Sequence, residues 1–139
     1  MVVRVAEGET TQDTEANIIG TTTAQGKKTG LQALLVAEQN LGVKPRILGV
    51  PGLDTENVAA ELVIIGQKLR AFCYAYANEW QTISEAILYR DSFGARELML
   101  IWPAFTAFNV NTASTERAYA VSLALGLRAK IDQQVGWHK

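Results

Sequence analysis

One cysteine, one histidine and three prolines occur among 139 residues. A lone Cys73 excludes an internal disulfide framework and any zinc site built on several thiolates, and it suits a reducing compartment. A lone His138, next to the last residue, leaves no base for a Ser-His or Cys-His nucleophile, and the Gly-x-Ser-x-Gly elbow is absent. Charge is also scarce, at 19% of residues, with 13 Lys and Arg against 14 Asp and Glu. A net charge of −1 gives no footprint for gripping a phosphate backbone, so no nucleic acid partner is expected. No apolar run approaches the roughly 18 residues of a membrane span, because the 98–105 stretch is broken by Pro103. The first residues, MVVRVAEGETT, lack an apolar core of signal-peptide length and turn acidic at once. No membrane insertion and no export are expected, and the length suits one domain.

What is present divides at about residue 28. Residues 6–30 are rich in Thr, Gly and charge, with Ile18-Ile19 as their only strong apolar pair. They read as an arm, residues 1–28, carrying short strands at 2–5 and 17–19. From residue 29 to 139 the texture is that of an α/β core. Leu31, Leu34, Leu35 and Leu41 have helical spacing, with Thr29 and Gln32 as a capping box and Gly42 as the stop. A strand at 46–50 is cut off by Pro51-Gly52, and Asp54 or Thr55 caps a helix whose inner face is Val58, Leu62, Ile65 and Leu69.

A second strand spans 71–77. Thr82 and Glu85 then open a helix through Ile83, Ala86, Ile87 and Phe93, ended by Gly94. A third strand at 97–102 is closed by Pro103, and a Phe-rich loop follows. Thr112 or Ser114 caps a long last helix with Ala120, Ala124, Leu127 and Ile131 along one face. Strands recurring about every 25 residues with helices between them predict right-handed crossovers and a small three-layer α/β/α domain with a mainly parallel sheet. Three strands are few, and both sheet edges need cover.

Ligands in such sheets sit beyond the strands' carboxyl ends. Asp54 and Glu79 fall there and form a candidate carboxylate pair for a metal or acid-base work, although Asp54 is equally a helix cap. Residues 20–29, GTTTAQGKKT, invite comparison with a phosphate-binding P-loop. They place five residues between the glycines instead of four, and Lys28 where the hydroxyl belongs, so a basic turn is the better reading. Cys73 reads as a buried strand thiol. Arg70, Arg128 and Lys130 read as positive charges near helix carboxyl ends. Trp80, Trp102, Phe105 and Phe108 gather in the carboxyl-end loops and Trp137 lies near the terminus. They form either a lid over the core or a protein-binding surface.

The stretches GVKPRILGVPGLDT (42–55), QKLRAF (67–72), TISEAILYRDSFGARELMLIWPAF (82–105) and LGLRAKIDQQVGWHK (125–139) closely resemble the tail sheath proteins of P2-like contractile-tailed bacteriophages and R-type pyocins. The segments RVAEGETTQDTEANIIGTTT and KTGLQALL resemble the same family, so the likeness runs over essentially the whole chain. It implies a structural subunit of the virion, made in the host cytoplasm. Such subunits polymerise around the tail tube, contact the baseplate, and contract without enzymatic activity or cofactors. It also implies a core similar in fold to subtilisin without proteolysis, and a chain that is one piece of a longer subunit. Two readings compete with it: a small α/β phosphate- or metal-binding enzyme domain using Asp54, Glu79 or residues 20–29, and a stand-alone adaptor that binds proteins through its aromatic loops.

Overall fold

The computed structural model describes residues 1–77 and 80–136. Three strands, β1 (Ile47–Gly49), β2 (Phe72–Tyr76) and β3 (Leu98–Ile101), form a parallel sheet in the order β1-β2-β3. Strand residues alternate between the two faces of this sheet. Leu48 pairs with Cys73 and Cys73 with Leu98, and these side chains share the face covered by helix α3 (Glu56–Leu69). Gly49 pairs with Tyr74 and turns to the opposite face, where a Cβ on it would meet Val121 and Leu125 of helix α5 (Ala120–Gln134). Helices therefore flank the sheet on both sides, as the strand-helix periodicity predicts for an α/β domain.

The core lies between the sheet and α3. Val58, Leu62 and Ile65 have no exposed surface and Leu69 is buried, which is the inner face read from the spacing. Thr55 caps α3 by accepting a hydrogen bond from the Val58 amide, and Arg70 ends it in the left-handed region (φ 54°). Cys73 points into α3 at Gly66, where any Cβ would overlap its sulfur, and its thiol donates to the Leu62 carbonyl at 3.4 Å. The strand and α3 thus approach closely because residue 66 carries no side chain. Burial, helped by the Glu97 charge, pushes the Cys73 thiol up to about 12 and keeps it a thiol at any physiological pH.

The N-terminal region differs from expectation. Residues 17–19 belong to helix α1 (Thr11–Ile19), and residues 2–5 form no strand. The helix has a full capping box: the Thr10 hydroxyl accepts from the Asp13 amide, and the Asp13 carboxylate accepts from the Thr10 amide. Two reciprocal cap bonds outweigh the β-preference of an isoleucine pair. Ile18 then drops into the same core as Val58 and Leu62. The 31–41 segment is a 3-10 helix (Gly30–Val36) followed by the single-turn helix α2 (Ala37–Leu41). Its expected capping box does not form, because the Thr29 hydroxyl bonds both the amide and the carbonyl of Thr21, and Gln32 reaches Glu61 instead (2.6 Å). Gly42 does end α2, in the left-handed conformation.

The other corrections concern the C-terminal third. The Phe-rich loop is a β-hairpin, β4 (Phe105–Asn109) with β5 (Ser114–Ala118). Ser114 begins β5, so it caps nothing, and α5 starts after Tyr119 without a side-chain cap. The buried start of α5 is Ala120 and Val121, while Leu127 is 60% exposed. Arg128 and Lys130 fall short of its last turn, and Arg128 pairs with Asp132 at 2.7 Å. Helix α4 (Ile83–Ser92) has the expected Thr82–Glu85 capping box, and only part of the apolar set read from the sequence turns inward. Tyr89 is buried and Phe93 packs on the core, whereas Ile83 and Ile87 are exposed. Aromatic side chains remove more area from water than an isoleucine pair, and this decides the rotation of α4.

Candidate functional site

The carboxyl ends of β1 and β2 open on a cleft of about 280 Å³ lined by Gly52, Asp54, Tyr76, Arg117 and Tyr119 among others. Asp54 is the polar side chain buried here, with only 5% of its surface exposed. It does not cap α3, a role taken by Thr55. Its carboxylate instead accepts a hydrogen bond from the Tyr76 amide at 2.6 Å, tying the turn after β1 to the end of β2. Burial raises the Asp54 pKa above the ordinary carboxyl value, against the lowering effects of the Tyr76 amide and the Arg117 charge. Arg117 stacks over the Tyr76 ring at 4.9 Å. The chemistry is that of a strut: an acceptor is held on a backbone donor, and a cation is parked on an aromatic face.

Glu79, the other half of the expected carboxylate pair, lies outside the described residues. Among the described residues there is no cluster of three or more His, Cys, Asp or Glu side chains that would hold a metal ion. Residues 20–29 follow a helix rather than a strand, and several of their amides bond within the loop. Thr23 donates to the Lys27 carbonyl, Gly26 to that of Thr23, Thr29 to that of Thr21, Thr21 to the Thr29 hydroxyl and Lys27 to the Thr23 hydroxyl. A P-loop binds phosphate with amides turned inward on the ligand, and this loop spends at least five of its own on closing itself.

The aromatic residues separate into two groups. Trp102 donates from its indole nitrogen to the Trp80 carbonyl at 2.9 Å, and Trp80 leans on Tyr89 with ring centres 5.6 Å apart. These two tryptophans are half-buried and close the end of the core beside α4. Phe105 and Phe108 sit on β4, at positions of opposite parity that face opposite sides of the hairpin. They are 42% and 64% exposed, and Val110 at the tip is 80% exposed. Trp137 lies outside the described residues.

Sequence reasoning missed two further apolar surfaces. Ile83, Ile87 and Leu88 form one on α4, and Leu123 with Leu127 forms another on α5. Their i, i+4 spacing is visible in the sequence, but periodicity alone does not say which of two apolar stripes turns inward. Among the described residues no helix is long and apolar enough to cross a membrane.

Comparison with known proteins places the chain in a family. Residues 26–139 match the model of the phage tail sheath protein central domain. The tail sheath protein of Escherichia phage P2 is 56% identical over 145 residues, covering 100% of this chain and 37% of the phage protein. The major tail sheath protein of Serratia phage KSP20 is 51% identical over 142 residues, covering 100% of this chain and 36% of that protein. The tail sheath protein of Burkholderia phage BcepMu is 30% identical over 135 residues, covering 91% and 28%. The chain thus spans between 28% and 37% of the length of these relatives. With its whole α/β core inside the matched region, the chain belongs to the phage tail sheath family.

Proposed function

We propose that this chain is part of a contractile tail sheath subunit, a non-enzymatic structural component that polymerises helically around the tail tube and contracts to drive the tube through the host envelope. The observation that carries the reading is the family match over residues 26–139. The unburied apolar surfaces support it. A hairpin with a phenylalanine on each face cannot cover both against its own domain, and a sleeve of close-packed neighbours supplies the second cover. Phe105 and Phe108 are the proposed interface anchors, with Trp80, Trp102 and Trp137 supporting or extending that surface.

Residues 29–139 serve as the rigid block, and residues 1–28 as the arm, anchored to the block through Ile18. Contraction is rigid-body motion of such blocks between two sets of contacts of different free energy, with no nucleotide hydrolysed by the sheath. The partners are other sheath subunits, the tube protein and the baseplate, first in the host cytoplasm and then in the virion. Negative-stain microscopy of the full-length protein, alone and with tail tube, tests this. Tubes or stacked rings are expected; a product that stays monomeric at high concentration with tube present would overturn it.

A further inference from the structure

The β4–β5 hairpin stands clear of the packed layers. Its cross-strand pairs, from Phe105 with Ala118 to Asn109 with Ser114, hold the two strands to each other, and among the described residues neither strand makes more than marginal contact with another element. From Phe105 to Arg117 every residue is exposed except Asn109, which is half-buried. The tip is nonetheless held from within. The Glu116 carboxylate accepts from Asn109 Nδ2 at 2.9 Å and from the Thr112 and Ser114 hydroxyls, and the Asn111 amide donates to Asn109 Oδ1 at 3.0 Å. A segment bonded to itself and packed on little else turns as a unit, at the residues where its ladder stops.

Those residues are Ala104, just ahead of β4, and Tyr119, the single residue between β5 and α5. Tyr119 stays with the body, because its ring lies on Gly52 where a Cβ would otherwise stand. Between the hairpin root and the body is the cleft of about 280 Å³, with Gly52, Asp54 and Tyr76 on one side and Arg117 and Ala118 on the other. Arg117 reaches across it. Its guanidinium sits 4.9 Å from the centre of the Tyr76 ring, and its charge acts on the Asp54 carboxylate, which is itself fixed on the Tyr76 amide at 2.6 Å. We propose that residues 105–118 are a hinged lever that turns as one piece at Ala104 and Tyr119, and that Arg117 seated on Tyr76 beside Asp54 is the latch holding it in its present position. Thr106 pairs with Arg117 and Phe108 with Thr115, so Phe108 shares the latch face and is redirected when the latch opens. Strands of five residues at about 3.4 Å each make a lever of about 17 Å, and a turn of about 30° carries its tip about 9 Å. In a sheath such a lever keeps Phe108 on one neighbour while the bodies rotate; that use rests on the proposed function, whereas the hinge and the latch do not.

Pairs of spin labels on the full-length protein, held below its assembly concentration, test both. One pair joins tip to body, Asn111→Cys with Ala60→Cys at an exposed position of α3, and a control pair within the lever is Thr106→Cys with Asn111→Cys. Cys73 is buried and stays a thiol, so it takes no label. Dipolar distance measurements are expected to give one dominant tip-to-body distance in the parent. Arg117→Gln is expected to widen that distribution about twofold or more, or to add a second distance displaced by about 5 Å or more, with the control pair unchanged. A tip-to-body distribution equally narrow with and without Arg117 would overturn the latch, as would one already as broad in the parent. Equal broadening of the control pair would overturn the lever, because the hairpin would then be melting rather than turning. All of these readings are made on unassembled protein, so their failure leaves the sheath reading to its own polymerisation assay.

Discussion

Replacing Gly66 by Ala, alone and together with Cys73→Ala, probes the closest approach in the core. A Cβ at position 66 overlaps the Cys73 sulfur, while its other close neighbours, the Ala71 carbonyl oxygen and the Leu48 Cδ1, lie at 3.5 and 4.0 Å. The clash is therefore specific to one atom. Overpacking of this kind costs about 1–3 kcal/mol, and a helix-interior Gly→Ala change returns about 1 kcal/mol, so G66A alone is expected to be destabilised by about 0–2 kcal/mol. C73A alone removes a fully buried sulfur and its bond to the Leu62 carbonyl, for about 1–2 kcal/mol. In the double variant the new methyl occupies the vacated sulfur position and the propensity gain remains. Its stability is expected within about 1 kcal/mol of the parent, which for a neutral double variant makes the coupling about 1–4 kcal/mol favourable. Urea unfolding of the four proteins, followed by far-UV circular dichroism with unchanged m-values, measures it. Additivity within about 0.5 kcal/mol would refute the claim that Gly66 is required by Cys73.

Asp54→Asn keeps an acceptor for the Tyr76 amide and removes the buried charge. Because burial raises the folded-state pKa of Asp54, its favourable contribution is complete below the unfolded-state pKa and is lost as pH rises through the folded value. The variant should therefore gain stability relative to the parent from about pH 4 upward, and a difference curve that is flat or slopes the other way would contradict the assignment. Thr82→Ala removes the hydroxyl half of the α4 capping box and is expected to cost about 1 kcal/mol in thermal or urea unfolding; no measurable loss would mean that α4 does not depend on its cap. Phe108→Ser, at an exposed hairpin position, is expected to change the unfolding free energy by less than about 0.5 kcal/mol. The same change in the full-length protein should shorten or abolish sheath polymers in electron micrographs, and normal polymers would remove Phe108 from the interface.

Much of the fold was legible because its signals are local. The inner face of α3, the capping box of α4 and the Gly42 stop each depend on residues within a few positions of one another, and the three strands are apolar runs too continuous to be amphipathic helix. The failures have specific causes. Thr10 and Asp13 spell a capping box whose third-position acid is Asp in place of the commoner Glu, and the β-branched pair Ile18-Ile19 favours a strand over the same residues. The β4–β5 hairpin carries Ser, Thr and Glu on one strand and turns through Val110 to Ala113, with Ala113 at φ 51° and no glycine to mark it. Helix α4 has apolar stripes on two sides, and so the facing of Ile83 and Ile87 depends on where Tyr89 and Phe93 find a partner.

The candidate site divides in the same way. That Asp54 stands at a strand's carboxyl end is plain from Pro51-Gly52 and the helix that follows, but its bond to the Tyr76 amide joins residues 22 apart in sequence. The scarcity of charge, the lone histidine and the run of sheath-like sequence were enough, without coordinates, to argue against nucleic-acid binding and nucleophilic catalysis and to point to the family. Which apolar residues remain exposed depends on distances between segments far apart in the chain. Periodicity records that a residue must be covered. Only the tertiary arrangement shows whether its own domain does the covering or leaves it exposed.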